Sequence, residues 1–260
     1  MGWNGGYLGY DATPTPGQPI RGVWGMRDVY LQTLRGDWSG NDPDFASVVV
    51  LLHFNGVDAS TAFTDGKGHT FTANGNAQID TAQSLFGGAS GLFDGSEDYL
   101  STPNHADFNF GTGDFCIETA VRFNTLPSNS IVSLASTYQN STNGWSVQYR
   151  TDVGEGNRLT FGVGDARNNF AWSPSINTWY RVAISRAGTS LRAFVDGIQI
   201  GSTIANSSNL TSTAALWVGA LNFGGGIQFF NGWLDELRIT KGVARYTANY
   251  TVATGPFLDR

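Results

Sequence analysis

Asp235 and Glu236 sit side by side in the run Phe230-Asn-Gly-Trp-Leu-Asp-Glu-Leu-Arg-Ile239. They are the residues of this 260-residue chain that most resemble a catalytic carboxylate pair. Hydrolysis of a glycosidic bond uses two carboxyl groups held roughly 5–9.5 Å apart across a cleft. On a β-strand that requirement is met by acids at i, i+2 or i+4, whose side chains share a face; adjacent acids diverge. The run reads as a glycine turn feeding an alternating strand, with Leu237 and Ile239 on one face and Glu236 and Arg238 on the other. Asp235 is then expected to lock the turn by accepting backbone N–H bonds. Glu118 shares a strand face with Arg122 but has no second acid beside it on that strand. His53, His69 and His105 are scattered along the chain. There is no Gly-x-Ser-x-Gly elbow and no His-Glu-x-x-His pair, so neither a triad nor a zinc site is expected. The expectation is a protein that is not an enzyme.

Binding chemistry is the other possibility. A glycan site needs exposed aromatic rings on a sheet face or rim loop. Tyr138, Trp145, Tyr149, Trp172 and Phe223 are the candidates, each competing with a role in the core. The stretch Phe223–Phe230 reads as a flexible glycine-rich loop beside apolar residues, a contact patch for a partner subunit in a homo-oligomer. The formal charge of −6 offers no basic face for nucleic acid and no attraction to an anionic membrane surface. No apolar run approaches a membrane span. The first residues lack the basic and apolar regions of a secretory signal, so the sequons at Asn140, Asn206, Asn209 and Asn249 are read as chance. Cys116, the single cysteine, excludes an intrachain disulfide and is read as a buried strand residue.

Charged residues make up only 14% of the chain, whereas glycine and aromatic residues are abundant, which favours many short strands over long helices. Val48–Phe54 is a continuous apolar run suited to a strand buried on both faces. Phe115, Ile117, Thr119, Val121 and Phe123 line one face of a long strand. Trp145/Val147/Tyr149 and Leu159/Phe161/Val163 alternate likewise. Trp179–Ser185 and Leu191–Val195 follow. Asp196-Gly197 is a two-residue hairpin signal of type I′, and Leu216–Gly219 and Trp233–Ile239 close the set. Strands at this spacing with turn signals between them predict a two-sheet antiparallel β-sandwich, all-β, over residues 45–260. Residues 1–44 read as a Pro-rich docking arm with a short amphipathic helix, in which Trp24, Met26, Tyr30, Leu34 and Trp38 supply the contacts.

Four motifs carry a family likeness. Gly91-Leu-Phe-Asp-Gly-Ser-Glu-Asp-Tyr-Leu100, the strand Phe115–Phe123, Trp179-Tyr-Arg-Val-Ala-Ile with Leu191-Arg-Ala-Phe-Val-Asp-Gly197, and Phe230–Ile239 resemble, in order, strands of laminin-G-like, concanavalin A-like jelly rolls. Leu51-Leu-His-Phe-Asn-Gly56, Leu85-Phe-Gly-Gly-Ala-Ser-Gly-Leu-Phe-Asp-Gly95 and Lys241-Gly-Val-Ala-Arg-Tyr-Thr247 are similar to jelly rolls of tailed-bacteriophage virion proteins, and Gly22–Trp38 resembles a module that precedes them. The first likeness implies a β-sandwich. The second implies a structural protein on a virion surface, made in the host cytoplasm. Its arm would dock on capsid or tail subunits, and the jelly roll would face outward as decoration or fibre tip and contact host-surface glycans. Such sandwiches often hold Ca²⁺ on rim loops, which makes Asp58, Asp65, Asp94, Glu97 and Asp98 the candidate ligands and a calcium-dependent lectin the alternative reading. Glycoside hydrolases share the fold, but their Glu-x-Asp-x-x-Glu strand is absent here.

Overall fold

A computed structural model describes residues 41–260 apart from 153, 155, 224 and 225, so the arm contacts expected of Trp24, Met26, Tyr30, Leu34 and Trp38 lie outside the described residues. In chain order the strands are β1 (Val48–Leu52), β2 (Ala62–Thr64), β3 (Thr70–Asn74), β4 (Gln78–Asp80), β5 (Ser90–Asp94), β6 (Tyr99–Thr102), β7 (Phe115–Phe123), β8 (Ile131–Ser136) and β9 (Trp145–Arg150). They continue with β10 (Arg158–Val163), β11 (Ala166–Ala171), β12 (Trp179–Ala187), β13 (Ser190–Val195), β14 (Ile198–Ala205), β15 (Leu216–Val218), β16 (Ala220–Phe223), β17 (Gly226–Phe229) and β18 (Asn231–Lys241). No helix among the described residues is long and apolar enough to cross a membrane.

Two antiparallel sheets form a sandwich, as the strand spacing predicts. The first runs β14-β13-β12-β7-β18-β5-β4, with β1 also paired to β18; the second runs β11-β10-β9-β8-β15-β6-β3-β2. Strand alternation fills the space between them. Phe115, Ile117, Val121 and Phe123 of β7 meet Trp145, Val147 and Tyr149 of β9 and Leu159 and Phe161 of β10 in one continuous core. Each such side chain, fully buried, contributes about 1.5–3 kcal/mol. Trp145 settles its one polar atom by donating Nε1–H to the Phe108 carbonyl at 2.8 Å. The Asp196-Gly197 turn has the expected geometry, with φ of 48° and 80°. Cys116 is buried, in a small second core on the outer side of the first sheet with Ala183, Phe194, Tyr246 and Tyr250.

β18 departs from the alternation the sequence suggests. Its first residues pair with β5 (Leu234 with Gly91), and its last pair with β1 (Leu237 with Leu52), both on the same side, while β7 runs along the other. Between the two partners the register against β7 slips by one residue, and Glu236 adopts a φ of 51°. This is a β-bulge. It lets Leu234, Leu237 and Ile239 all face the core although strict alternation would separate the first from the other two. Asp235 falls in the gap between β5 and β1. There its Oδ2 accepts the Leu85 and Phe86 N–H groups at 2.8 and 3.0 Å, so it accepts backbone N–H bonds as expected but ties down the distant segment before β5 instead of its own glycine turn.

The segment after β18 folds back over the outer face of the first sheet and closes an ionic cluster. Arg238 donates to Glu118 and to Asp42, each at 2.9 Å, and lies 3.8 Å from the Phe257 ring centre. Arg245 reaches Asp42 at 2.7 Å, and the Tyr246 hydroxyl donates to Glu118 Oε2 at 2.7 Å. Asp42 N–H also donates to the Arg260 carbonyl at 2.6 Å, which ties the segment before β1 to the C-terminal residue.

Candidate functional site

The side of the second sheet that faces away from the core is polar and carries a row of aromatic rings. Directly paired residues of antiparallel strands point the same way. Trp217 pairs with Ser101 and Ser136, and Ser136 with Ser146, so these side chains share that face. The row consists of Trp217, Tyr99 and Phe229, all half-buried. Tyr99 lies between the other two, its ring centre 4.4 Å from that of Trp217 and 6.4 Å from that of Phe229.

Phe229 arrives from the β16–β17 hairpin, which packs against β8. That hairpin is the stretch read from sequence as a flexible loop. Pairing of Ala220 with Phe229 through Phe223 with Gly226 makes it a two-stranded ribbon instead. Gln228 is the acceptor for the Ser130 hydroxyl at 3.3 Å, and the Phe223 ring meets Tyr138 edge-on at 5.4 Å. The hairpin thereby leaves a cavity at each end of the aromatic row. One, of about 260 Å³, is lined by Ser136, Tyr138, Gln139, Trp217 and Asn222 with Ala214 and Ala215. The other, of about 300 Å³, is lined by Gln228, Phe229 and Asn231 with Thr125, Pro127 and Ser130. Rings in a line with amide and hydroxyl groups at both ends make a surface that can stack apolar faces and bond hydroxyls.

Of the five aromatic residues singled out from sequence, Tyr138 and Phe223 reach this site, with the Tyr138 hydroxyl donating to Asp165 at 2.9 Å. Burial and that carboxylate raise the Tyr138 pKa. Trp145 and Tyr149 do not reach it: both are fully buried in the core, because their strand positions face inward. Trp172 packs on the core against Tyr149, Phe123 and Tyr180. Trp217, Tyr99 and Phe229 were not singled out. The signal was present in Leu216-Trp-Val218, where alternation puts Trp217 opposite two core residues.

Beyond Ser146 the same face is shielded and satisfies itself. Gln148 donates to Ser146 at 2.6 Å, Arg150 to Gln148 at 3.0 Å, and Thr160 to Asn169 at 2.9 Å. Arg150 and Arg158 clamp Asp152 at 2.7 and 2.5 Å; the Arg150 bond outweighs burial and holds the Asp152 carboxyl down at about 2.

Four of the five acids proposed for calcium are occupied as structural acceptors. Asp65 takes the Leu51 and His69 N–H groups at 2.7 and 2.8 Å, and Asp98 takes those of Asn76 and Asp94 at 2.7 and 2.8 Å. Asp58 binds Thr81 through its backbone and hydroxyl, and Asp94 caps Ser96 N–H. Glu97 is an exposed turn residue with φ of 63°. These five candidate calcium ligands do not converge. Among the described residues the group of metal-ligating side chains that does converge is His69, His105 and Asp107, which corrects the reading of the histidines as scattered. His53 instead bridges Glu236 and Asp259, each at 2.8 Å. The Glu236 bond, against burial and with help from Asp259, raises its pKa to about 9. Glu236 Oε2 also accepts the Phe257 N–H. Asp235 and Glu236 therefore serve different partners, and burial, partly offset by the Phe86 and Leu85 N–H bonds, raises the Asp235 carboxyl to about 7.

Comparison with known proteins agrees with this architecture. No curated protein matches the sequence. Domain 4 of AbnA, a GH43 extracellular arabinanase from Geobacillus stearothermophilus solved with arabinotriose, superposes with a TM-score of 0.54 at 16% identity over 76% of this chain and 94% of that one. The botulinum neurotoxin serotype D/C binding domain gives 0.55 at 17%, over 76% of this chain and 50% of that one. The binding domain of Paraclostridial Mosquitocidal Protein 1 gives 0.52 at 14%, over 81% and 50%. The chain thus spans about half the length of the toxin domains, and at these identities the likeness is one of fold. The profile of the Concanavalin A-like lectin/glucanases superfamily matches residues 94–245, more than half of the chain, and the protein belongs to that superfamily.

Proposed function

We propose that the domain is a non-catalytic glycan-binding module, displayed on the surface of a bacteriophage particle through its N-terminal segment. The observation that carries the glycan reading is the row Trp217–Tyr99–Phe229 with an amide-lined cavity at each end. Sugar rings offer apolar C–H faces to aromatic side chains and hydroxyls to amides, and the row is long enough for more than one sugar unit. Two similar folds support a sugar ligand by their own descriptions: the arabinanase domain was solved with arabinotriose, and cell entry of botulinum neurotoxin type C is described as dependent upon interaction with two ganglioside molecules. The non-catalytic part rests on the engagement of the adjacent acids, Asp235 with backbone N–H groups and Glu236 with His53 and Phe257. No step of this reading uses calcium.

The virion setting rests on the phage-like motifs and on the aromatic, Pro-rich composition of the first forty residues. In this setting the arm docks on capsid or tail subunits of the particle, and copies of the domain assemble as a homo-oligomer after synthesis in the host cytoplasm. Two experiments test the proposal. A glycan array of the full chain, with and without chelator, is expected to show the same retained glycans in both conditions; no retention in either contradicts glycan binding, and loss with chelator contradicts calcium independence. Removing residues 1–40, which spares Asp42, is expected to leave a folded domain that no longer attaches to particles. Undiminished attachment contradicts the docking role.

A further inference from the structure

His69 precedes β3 and Asp107 follows β6, thirty-eight residues later, yet the two meet with His105 at one end of the second sheet. Asp107 Oδ2 lies 3.1 Å from His69 Nε2 and 3.0 Å from His105 Nδ1. The imidazole centres are 5.0 Å apart at 67°, and the donor atoms of all three residues lie within 4.8 Å of one another. Two donors bound to one tetrahedral zinc ion at about 2.0–2.1 Å stand roughly 3.3 Å apart. Both histidine–aspartate separations are within a few tenths of an ångström of that spacing.

We propose that His69 Nε2, His105 Nδ1 and Asp107 Oδ2 form a site for a divalent ion of the zinc class, with water completing the coordination. Two imidazoles and one carboxylate suit zinc, cobalt, nickel and copper, whereas calcium and magnesium favour oxygen donors throughout. The donors stand on anchored backbone. His69 N–H donates to the buried Asp65 at 2.8 Å, and the His69 ring packs 4.9 Å from buried Phe108. Asp107 belongs to the short 3-10 turn Ala106–Phe108, where Lys241 Nζ donates to the Ala106 carbonyl at 2.7 Å and Trp145 to that of Phe108 at 2.8 Å. His105, with a side chain 55% exposed, is the open side through which an ion enters. Ligation replaces the direct contacts of Asp107 Oδ2 with His69 Nε2 and His105 Nδ1, and the Asp107 N–H bond to His105 Nδ1 at 3.3 Å. The bound ion clips the β2–β3 edge hairpin to the segment after β6 and stabilises the folded chain by mass action.

The test uses the tag-free full chain, stripped with chelator and then titrated calorimetrically with Zn²⁺. The expected result is one saturable Zn²⁺ per chain, a Tm that rises with Zn²⁺, and a visible absorption band when Co²⁺ replaces it. His105→Ala and Asp107→Asn, both at solvent-accessible side chains, remove only a cap and an ion pair from the metal-free chain and are expected to leave it folded with a small drop in Tm. They should lose at least the roughly 10–100-fold in affinity that follows removal of an orienting partner. Absence of saturable Zn²⁺ binding, or equal affinity in both variants and the parent chain, overturns the site.

Discussion

Tyr149 brings a phenol into the core, and among the described residues its hydroxyl has no hydrogen-bond partner. A buried unpaired hydroxyl costs about 1–3 kcal/mol. Tyr149→Phe is therefore expected to raise stability by about 1 kcal/mol, read as a higher urea midpoint at unchanged slope. Asp235 makes a different prediction. Its carboxyl titrates near 3.8 in the unfolded chain and at about 7 when folded, so the folded state holds the proton more tightly. The stability this contributes is complete below about pH 4 and is lost as pH rises through about 7. His53, raised from 6.5 to about 9, continues the decline: its contribution is complete below 6.5 and lost through about 9. Asp235→Asn keeps an acceptor oxygen for the Leu85 and Phe86 N–H groups, and it should flatten the urea midpoint between pH 4 and 7 while leaving the higher-pH decline. An unchanged slope in that interval contradicts the assignment. That Asp235 accepts backbone N–H bonds was legible in its residue type, but its partners were not: they lie at Leu85 and Phe86, not in the glycine turn beside it. The meeting of His69 with His105 and Asp107 was not legible either, because strand pairing across a sheet sets it and no local spacing encodes it.

β18 shows what a strand can hide at the scale of an element. Its residue types announce a half-buried strand, and the bulge at Glu236 lies where its neighbour changes from β5 to β1. A change of partner is a tertiary event, so alternation read along the chain could not place it. The same strand aims Arg238 into the outer-face cluster with Glu118 and Asp42. Burial opposes a charged guanidinium there, but Glu118 and Asp42 outweigh it and raise the Arg238 pKa. Arg238→Ala leaves two buried carboxylates sharing Arg245 and should cost about 3–5 kcal/mol in chemical denaturation. A loss below about 1 kcal/mol, the range of an exposed pair, contradicts the reading of this cluster as a buried clasp for the C-terminal segment. The β16–β17 hairpin was illegible for another reason. Gly224, Gly225 and Gly226 mask strand propensity, and the ribbon is held by side-chain contacts with Tyr99, Tyr138 and Ser130.

At the scale of the whole molecule, the order of strand motifs from Gly91 to Ile239 was enough to predict the sandwich, because inward and outward positions repeat every second residue over many strands. The same periodicity puts Trp145 and Tyr149, two of the glycan candidates, at inward positions, where their competing role in the core prevails, and Trp217 at an outward one. The account's central claim is that this outward aromatic row binds a glycan. It is tested most directly by calorimetric affinity for an array-identified glycan, measured on the full chain and on Trp217→Ala. Loss of one aromatic contact in the row costs about 2 kcal/mol, so the account predicts roughly thirtyfold weaker binding by a chain that is still folded. Equal affinity in Trp217→Ala and the parent chain would contradict it.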